Sequence, residues 1–293
     1  MPSFAPKVDP KNPYDTPHAP TWCPGCGDFA IWISLKKALE QLNKKPHEIL
    51  IVYGIGCSGN MANNIRTYGW HSLHGRAVPT AVGAKLANRN LTVIVAAGDG
   101  DSYGEGLGHF IHAIRGNVNV TYIVHNNSIY GLTTGQASPT SSKGMKAKST
   151  PEGLIDEALN PIALAISAGA SFVARGFSGN AAQLQNLMVQ AIQHPGFAYL
   201  DVFQPCVTFN KLNTYSFYYE RVYDLQADKS YTAQDRQAAF VKALESDKLP
   251  TGIFYKDSKR KTYEDELAYL QGKALATYSG KPRSVKKLFS EFK

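Results

Sequence analysis

Four cysteines carry the first chemical signal: Cys23 and Cys26 in TWCPGCGDF, then Cys57 and Cys206 standing singly and far apart. A C-x-x-C pair serves as a redox dithiol, a zinc clasp or half of an iron–sulfur site. The Pro-rich PYDTPHAP just ahead of Cys23 offers no buried strand of the kind that precedes a thioredoxin-type dithiol, because proline cannot donate to a sheet ladder. Four thiolates together suit zinc or a cubane cluster. Zinc sites usually draw on two close pairs, so one pair with two single ligands favours the cluster and leaves zinc open. The spacing also admits Cys57 and Cys206 as ordinary buried thiols.

The elements that would gather these residues show in the hydrophobic pattern. Apolar runs rich in β-branched residues fit strands buried on both faces at 49–56, 91–98, 118–125 and 198–203, with a fifth at 170–177. Helical stretches occupy 77–89, 105–116, 160–169 and 181–193, and a helix over 29–42 follows the cysteine pair with Asp28 as its N-cap. The alternation predicts an α/β fold, a mostly parallel sheet with flanking helices, in which ligands bind beyond the carboxyl ends of the strands. Those ends carry Cys57-Ser58-Gly59-Asn60, Asp99-Gly100-Asp101, Asn126-Asn127-Ser128-Ile129-Tyr130-Gly131 and Gln204-Pro205-Cys206. Packing alone poorly explains such a convergence of thiols, an acid, amides and glycines.

Composition bounds the rest. A chain of 293 residues with 43% hydrophobic and 18% charged residues can bury a sizeable core. Prolines at 2, 6, 10, 13, 17 and 20 make residues 1–20 an extended arm. No apolar run reaches membrane-spanning length and the start lacks a secretory apolar core, so a cytoplasmic location without membrane contact is expected. In that reducing compartment, cysteines bind metal or catalyse rather than bridge. A net charge of +8 could steer acidic ligands or acidic proteins, and is equally a solvated surface. The basic residues are scattered, which argues against nucleic acid.

Gly98-Asp99-Gly100 followed by Asn126-Asn127 resembles the diphosphate-binding motif of thiamin diphosphate enzymes, which begins GDG and ends NN. Mg²⁺ wants octahedral oxygen ligands shared between protein and phosphates. Asp99 would give a carboxylate oxygen, Asn127 an amide oxygen and Ile129 a main-chain carbonyl. With WCPGCGD, GIGCSGN, HGRAVPTAVGAK, NNSIYGLTTGQ, SPT and QPC, the chain resembles the β subunit of 2-oxoacid:ferredoxin oxidoreductases over roughly residues 20–215.

The resemblance implies a thiamin diphosphate-binding fold over 21–208 and a [4Fe–4S] cluster on Cys23, Cys26, Cys57 and Cys206. It implies cofactor contacts from Ile55, Gly56, Cys57, Ser58, His74, Gly100, Asp101, Gly131 and Leu132, with Mg²⁺ on Asp99, Asn127 and Ile129. His71, His109, His112 and His125 are read as surface or satisfied core residues. Reversible oxidative decarboxylation of a 2-oxoacid follows, with coenzyme A as acyl acceptor and ferredoxin as electron acceptor; reversal fixes carbon dioxide. No side-chain acid or base of this chain is assignable as catalytic. The aminopyrimidine half of a thiamin site, with its Glu, would come from a separate α subunit in an αβ or (αβ)₂ assembly.

NNSIYGLTTGQASPTSSKG and QPCVTFN point to 2-oxoglutarate, with pyruvate or broad specificity as the alternative. Arg66 and Arg76 are candidates for a distal carboxylate, and each is equally a candidate for a structural ion pair. Residues 209–293 read as a C-terminal extension against the body or the partner, with helical patterns at 232–244 and 262–275. Two rivals stand beside this reading: a non-redox thiamin enzyme with structural cysteines, and a zinc-bound scaffold protein.

Overall fold

Strand formation follows the β-branched runs, and their order places the loops named above along one edge. The structure, a computed structural model, describes residues 12–270, 272–277 and 285–292. Among these residues the strands are β1 (Ile49–Tyr53), β2 (Tyr68–His71), β3 (Thr92–Gly98), β4 (Thr121–Asn126), β5 (Phe172–Phe177), β6 (Ala198–Phe203), β7 (Val222–Asp224) and β8 (Leu249–Lys256). They form one sheet in the order β2-β1-β3-β4-β6-β5-β8-β7, parallel throughout except between β5 and β8.

Alternate residues of each strand feed two cores, as the pleat requires. Val52, Val95, Val124 and Tyr199 face helices α2 (Ala77–Ala87), α3 (Leu107–Gly116), α4 (Pro161–Ser167) and α7 (Arg236–Ala243). Ile51, Ile94, Ile123 and Leu200 face α1 (Asp28–Gln41) and α5 (Ala181–Gln193). With both faces covered, the parallel strands can be apolar throughout. Among the described residues no helix is long and apolar enough to cross a membrane.

The five expected strands are present, and three further strands join them. Strand β2 reads YGWH and is exposed along its whole length, so no apolar run marked it. Strand β8 contains Pro250 and Gly252, residues that argue against a strand interior. Gly252 takes φ +103°, and the pairing register shifts where β8 meets β5 at Val173 and Ala174. The sheet therefore continues past residue 208, into the segment read as an extension. Helix α6 (Tyr215–Tyr219) packs that segment on the body, with Tyr218 stacked on Phe203 at 4.7 Å between ring centroids. Among its described residues, the pattern at 262–275 yields the helical turn Tyr263–Glu266 and two short 3₁₀ turns, Ala268–Leu270 and Leu275–Thr277. Tertiary bonds take its side chains instead: Glu264 accepts from the Asn119 main-chain N–H at 3.1 Å, and Asp265 pairs with Arg89 at 2.7 Å.

Residues 12–20 contain no helix or strand and are fastened to the body. Tyr14 is fully buried and donates to the Lys44 carbonyl, while Asp15 pairs with Lys36 at 2.6 Å. Residues 1–11 of the expected arm lie outside the described residues.

Near the carboxyl ends of β5 and β6, Arg175 Nε donates to Asp201 Oδ2 at 3.0 Å, and Asn126 Nδ2 donates to Asp201 Oδ1 at 3.1 Å. Both charges are buried. An Arg175→Ala variant is expected to lose about 3–5 kcal/mol of stability, because it strands the Asp201 carboxylate without its counter-charge. Urea unfolding of the purified protein measures this, and an unchanged midpoint would refute it.

Candidate functional site

The loops after β1, β3, β4 and β6 enclose two adjoining cavities. The first, about 90 Å³, is lined by Ile55, Gly56, Cys57, Ser58 and His74, by Gly98 to Asp101, and by His125, Asn127, Ile129 to Thr133 and Gln204. The second, about 200 Å³, is lined by all four cysteines together with Trp22, Asp28, Asn127, Gly131, Leu132 and Gln204, among others. Cys57, Asn127, Gly131, Leu132 and Gln204 belong to both. Every residue expected at the cofactor and at Mg²⁺ lines the first cavity, and every expected cluster cysteine lines the second.

Local conformation explains several of these positions. Gly56 adopts φ +145° and ψ −169°, a region essentially closed to residues with a Cβ. The chain then winds as a 3₁₀ helix from Cys57 to Asn63. After Asp99 the backbone forms a π-helical turn, Gly100–Glu105, before α3 begins. Turns of that kind are frequent at functional sites. A Cβ at Gly100 would collide with the ring of Tyr130, whose hydroxyl donates to the Gly100 carbonyl at 3.1 Å.

Two carboxylates organise the first cavity. Asp99 Oδ2 accepts from Ser138 Oγ at 2.5 Å and Thr140 Oγ1 at 2.6 Å, which sets the rotation of the carboxylate. Burial pushes the Asp99 carboxyl up to about 6, against lowering by these hydroxyls and by main-chain N–H groups. Asp101 Oδ1 accepts from the Ile55 N–H at 3.0 Å and the Gly75 N–H at 2.9 Å, and pairs with His74 Nδ1 at 2.8 Å. It thus ties three loops together. Asn127 Oδ1 accepts from the Ile129 N–H at 3.0 Å, so the amide oxygen and the Ile129 backbone are held in one turn. Ser58, His125 and Gln204 line this cavity, and their Oγ, Nε2 and Oε1 atoms are buried with no hydrogen-bond partner among the described residues. Buried atoms left in this way fit a polar ligand.

The cysteine cavity has a comparable framework. Cys23 is exposed, Cys57 half-buried, and Cys26 and Cys206 buried. A Cβ at Gly131 would lie 3.4 Å from Cys57 Sγ and 3.6 Å from Cys206 Sγ, so glycine leaves the room between these sulfurs. Trp22 Nε1 donates to the Cys57 carbonyl at 2.7 Å, tying the C-x-x-C loop to the loop after β1. Burial pushes the Cys57 thiol up to about 12 and raises that of Cys26 further. Among the described residues no three His, Cys, Asp or Glu side chains meet closely enough to hold a single ion.

The comparisons with known proteins agree with this geometry. Residues 54–202 match the family described as thiamine pyrophosphate enzyme, C-terminal TPP binding domain. Residues 206–272 match the family that describes the C-terminal part of the pyruvate ferredoxin oxidoreductase beta chain. The 2-oxoacid:ferredoxin oxidoreductase subunit beta of Saccharolobus solfataricus is 47% identical over 259 residues, covering 84% of this chain and 85% of that one. The chain belongs to the β subunits of the 2-oxoacid:ferredoxin oxidoreductases. The 2-oxoglutarate oxidoreductase subunit KorB of Mycobacterium tuberculosis is 45% identical, over 64% of this chain and 51% of its own. A solved 2-oxoglutarate:ferredoxin oxidoreductase from Magnetococcus marinus, with 2-oxoglutarate, coenzyme A and succinyl-CoA bound, superposes with a TM-score of 0.88. It is 36% identical and covers 99% of this chain and 98% of its own.

Several residues of this β subunit at the site escape a reading of the sequence. Asp28 does not cap α1, whose N-cap is Gly27; its carboxylate binds His125 Nδ1 at 2.6 Å and accepts from Cys26 Sγ at 3.4 Å. His125, read as a bland residue, is 1% exposed and lines the first cavity. Its place at the end of β4, just before Asn126-Asn127, was the available signal. Gln204 was visible in the QPC motif without a role. Arg76 and Arg66 line neither cavity: Arg76 donates to the Gly75 and Glu105 carbonyls, and Arg66 lies on a groove with Pro13, Pro46 and His47.

Proposed function

We propose that this chain binds thiamin diphosphate through Mg²⁺ on Asp99, Asn127 and the Ile129 carbonyl, and a [4Fe–4S] cluster on Cys23, Cys26, Cys57 and Cys206. In the cytoplasm, with an α subunit, it oxidatively decarboxylates a 2-oxoacid, favoured as 2-oxoglutarate, to an acyl-coenzyme A and carbon dioxide. Ferredoxin takes the electrons, and the reverse reaction fixes carbon dioxide. The observation that carries the reading is the shared wall of the two cavities, Cys57, Asn127, Gly131, Leu132 and Gln204.

When bound, thiamin diphosphate supplies the nucleophilic carbon and the cluster a one-electron acceptor. The chain's residues supply the setting. Ser138 and Thr140 hold the Asp99 carboxylate in one rotamer. Asp101 fixes the Ile55 and Gly75 backbones and His74 around the cofactor cavity. Gly56, Ser58, Gly100, Gly131 and Leu132 line the same cavity. Four sulfurs spread around about 200 Å³ suit a polynuclear cluster better than one zinc ion.

The solved Magnetococcus marinus enzyme and the KorB relative support 2-oxoglutarate. The pyruvate-type match over residues 206–272 favours a second reading, pyruvate or broad specificity. The deciding experiment is anaerobic viologen reduction by the chain co-purified with its α partner, given thiamin diphosphate, Mg²⁺ and coenzyme A. 2-Oxoglutarate, pyruvate and branched 2-oxoacids are compared. Reduction chiefly with 2-oxoglutarate is expected; another preferred 2-oxoacid would overturn the substrate. No reduction by a preparation containing iron and thiamin would overturn the redox assignment.

A further inference from the structure

Gln204 stands where the two cavities meet, 1% exposed, at the carboxyl end of β6. Its Nε2 donates to Cys26 Sγ at 3.2 Å and to the Pro205 carbonyl at 3.2 Å. Both partners accept, so the amide nitrogen must face them, which leaves Oε1 as the atom without a partner among the described residues. The side chain is confined. Its main-chain N–H donates to the Asn126 carbonyl at 2.9 Å, and Gly27 donates to the Pro205 carbonyl at 3.2 Å. A Cβ at Gly27 would lie 2.9 Å from Gln204 Cγ, so glycine at that position makes room for the amide.

A neutral amide would be a poor choice here if the task were only to fill space, since a buried polar group must recover its lost hydration. An apolar side chain of similar volume would close the same gap. What the amide adds is an N–H pointed at one cysteine sulfur. A hydrogen bond donated to a cluster thiolate stabilises the reduced, more negative state more than the oxidised one, and so raises the reduction potential.

From this geometry we infer that Gln204 is a positioning residue that tunes the cluster: its amide N–H bond to Cys26 Sγ raises the cluster's reduction potential and makes it a better electron acceptor beside the cofactor cavity. The inference rests on the cluster assignment proposed above. Among the described residues lining the cysteine cavity, Gln204 is the only glutamine, so its contribution is separable from others of its type.

The test uses the complex with its α partner, purified without oxygen, as wild type, Gln204→Leu and Gln204→Glu. Iron content comes first, because a wild-type complex without iron would overturn the cluster assignment and this inference with it. The midpoint potential is then read by EPR-monitored redox titration. Both variants are expected to shift to more negative potential, with Gln204→Glu shifting further because it places an acceptor against the thiolate. An unchanged midpoint in an iron-replete Gln204→Leu complex would overturn the tuning role. Where the variants lose their cluster, wild-type complex labelled with nitrogen-15 at the glutamine amide decides: pulsed EPR of the reduced cluster is expected to show a weak coupling to that nitrogen, and its absence would overturn the inference.

Discussion

A Cys206→Ala variant, purified anaerobically with its partner subunit, is expected to keep thiamin diphosphate binding while viologen reduction falls to background. The separation follows from where the four thiols lie. Cys57 lines both cavities, so its loss would disturb both cofactors, whereas Cys23, Cys26 and Cys206 line only the cysteine cavity. Of these three, Cys23 is exposed, where water or an added thiol can stand in for a missing ligand. Cys206 is buried beside Gly131 at the end of β6, with no such substitute at hand.

The measurements are iron and sulfide per complex, thiamin diphosphate affinity by calorimetry, and dye reduction with the preferred 2-oxoacid. Iron is expected to fall below half of the wild-type content while thiamin affinity stays within a few-fold. Full dye reduction by an iron-free variant would sink the idea that electrons leave through these cysteines. Zinc in place of iron in the wild-type complex would instead favour the scaffold reading.

The parts of the site legible in the sequence are those whose chemistry is tied to a strand end. A buried parallel strand announces itself as an apolar run, and the residues that follow it lie at the ligand edge by the geometry of the sheet. Asp99, Asn127, Cys57 and Cys206 are legible in this way: Asp99 lines the first cavity, Cys206 the second, and Cys57 and Asn127 both. What was not legible depends on partners distant in the chain. The Asp28 carboxylate looked like a helix cap because capping is a local rule, yet His125, 97 residues on, takes it. Strand β8 was hidden because Pro250 and Gly252 break the local pattern, and only its pairing with β5 makes it a strand. The 262–275 segment failed in the opposite direction, its helical spacing giving way to bonds from Glu264 and Asp265 to the body.

An Asp99→Ala variant is expected to weaken Mg²⁺-dependent thiamin diphosphate binding by more than about 100-fold, and to leave the iron content unchanged. The size of the effect follows from two contributions. Removing the carboxylate deletes a charged ligand for a cation that accepts few protein donors, since Mg²⁺ keeps several positions for water and phosphate oxygens. It also removes one acceptor from each of the buried Ser138 and Thr140 hydroxyls, Thr140 Oγ1 keeping Asn126 Oδ1 at 2.9 Å. Because those hydroxyls would orient the proposed ligand without binding the ion, Thr140→Val should cost less, about 10–100-fold. The order Asp99→Ala worse than Thr140→Val, both worse than wild type, separates ligand loss from loss of orientation. Asp99 lies in the wall of the cofactor cavity and not in that of the cysteine cavity, which is why the cluster should survive. Calorimetric titration with thiamin diphosphate at fixed Mg²⁺, paired with iron analysis, measures both sides of the claim. Wild-type affinity in Asp99→Ala would remove this carboxylate from the metal site and, with it, the main physical reason for reading GDG and NN as one diphosphate clamp.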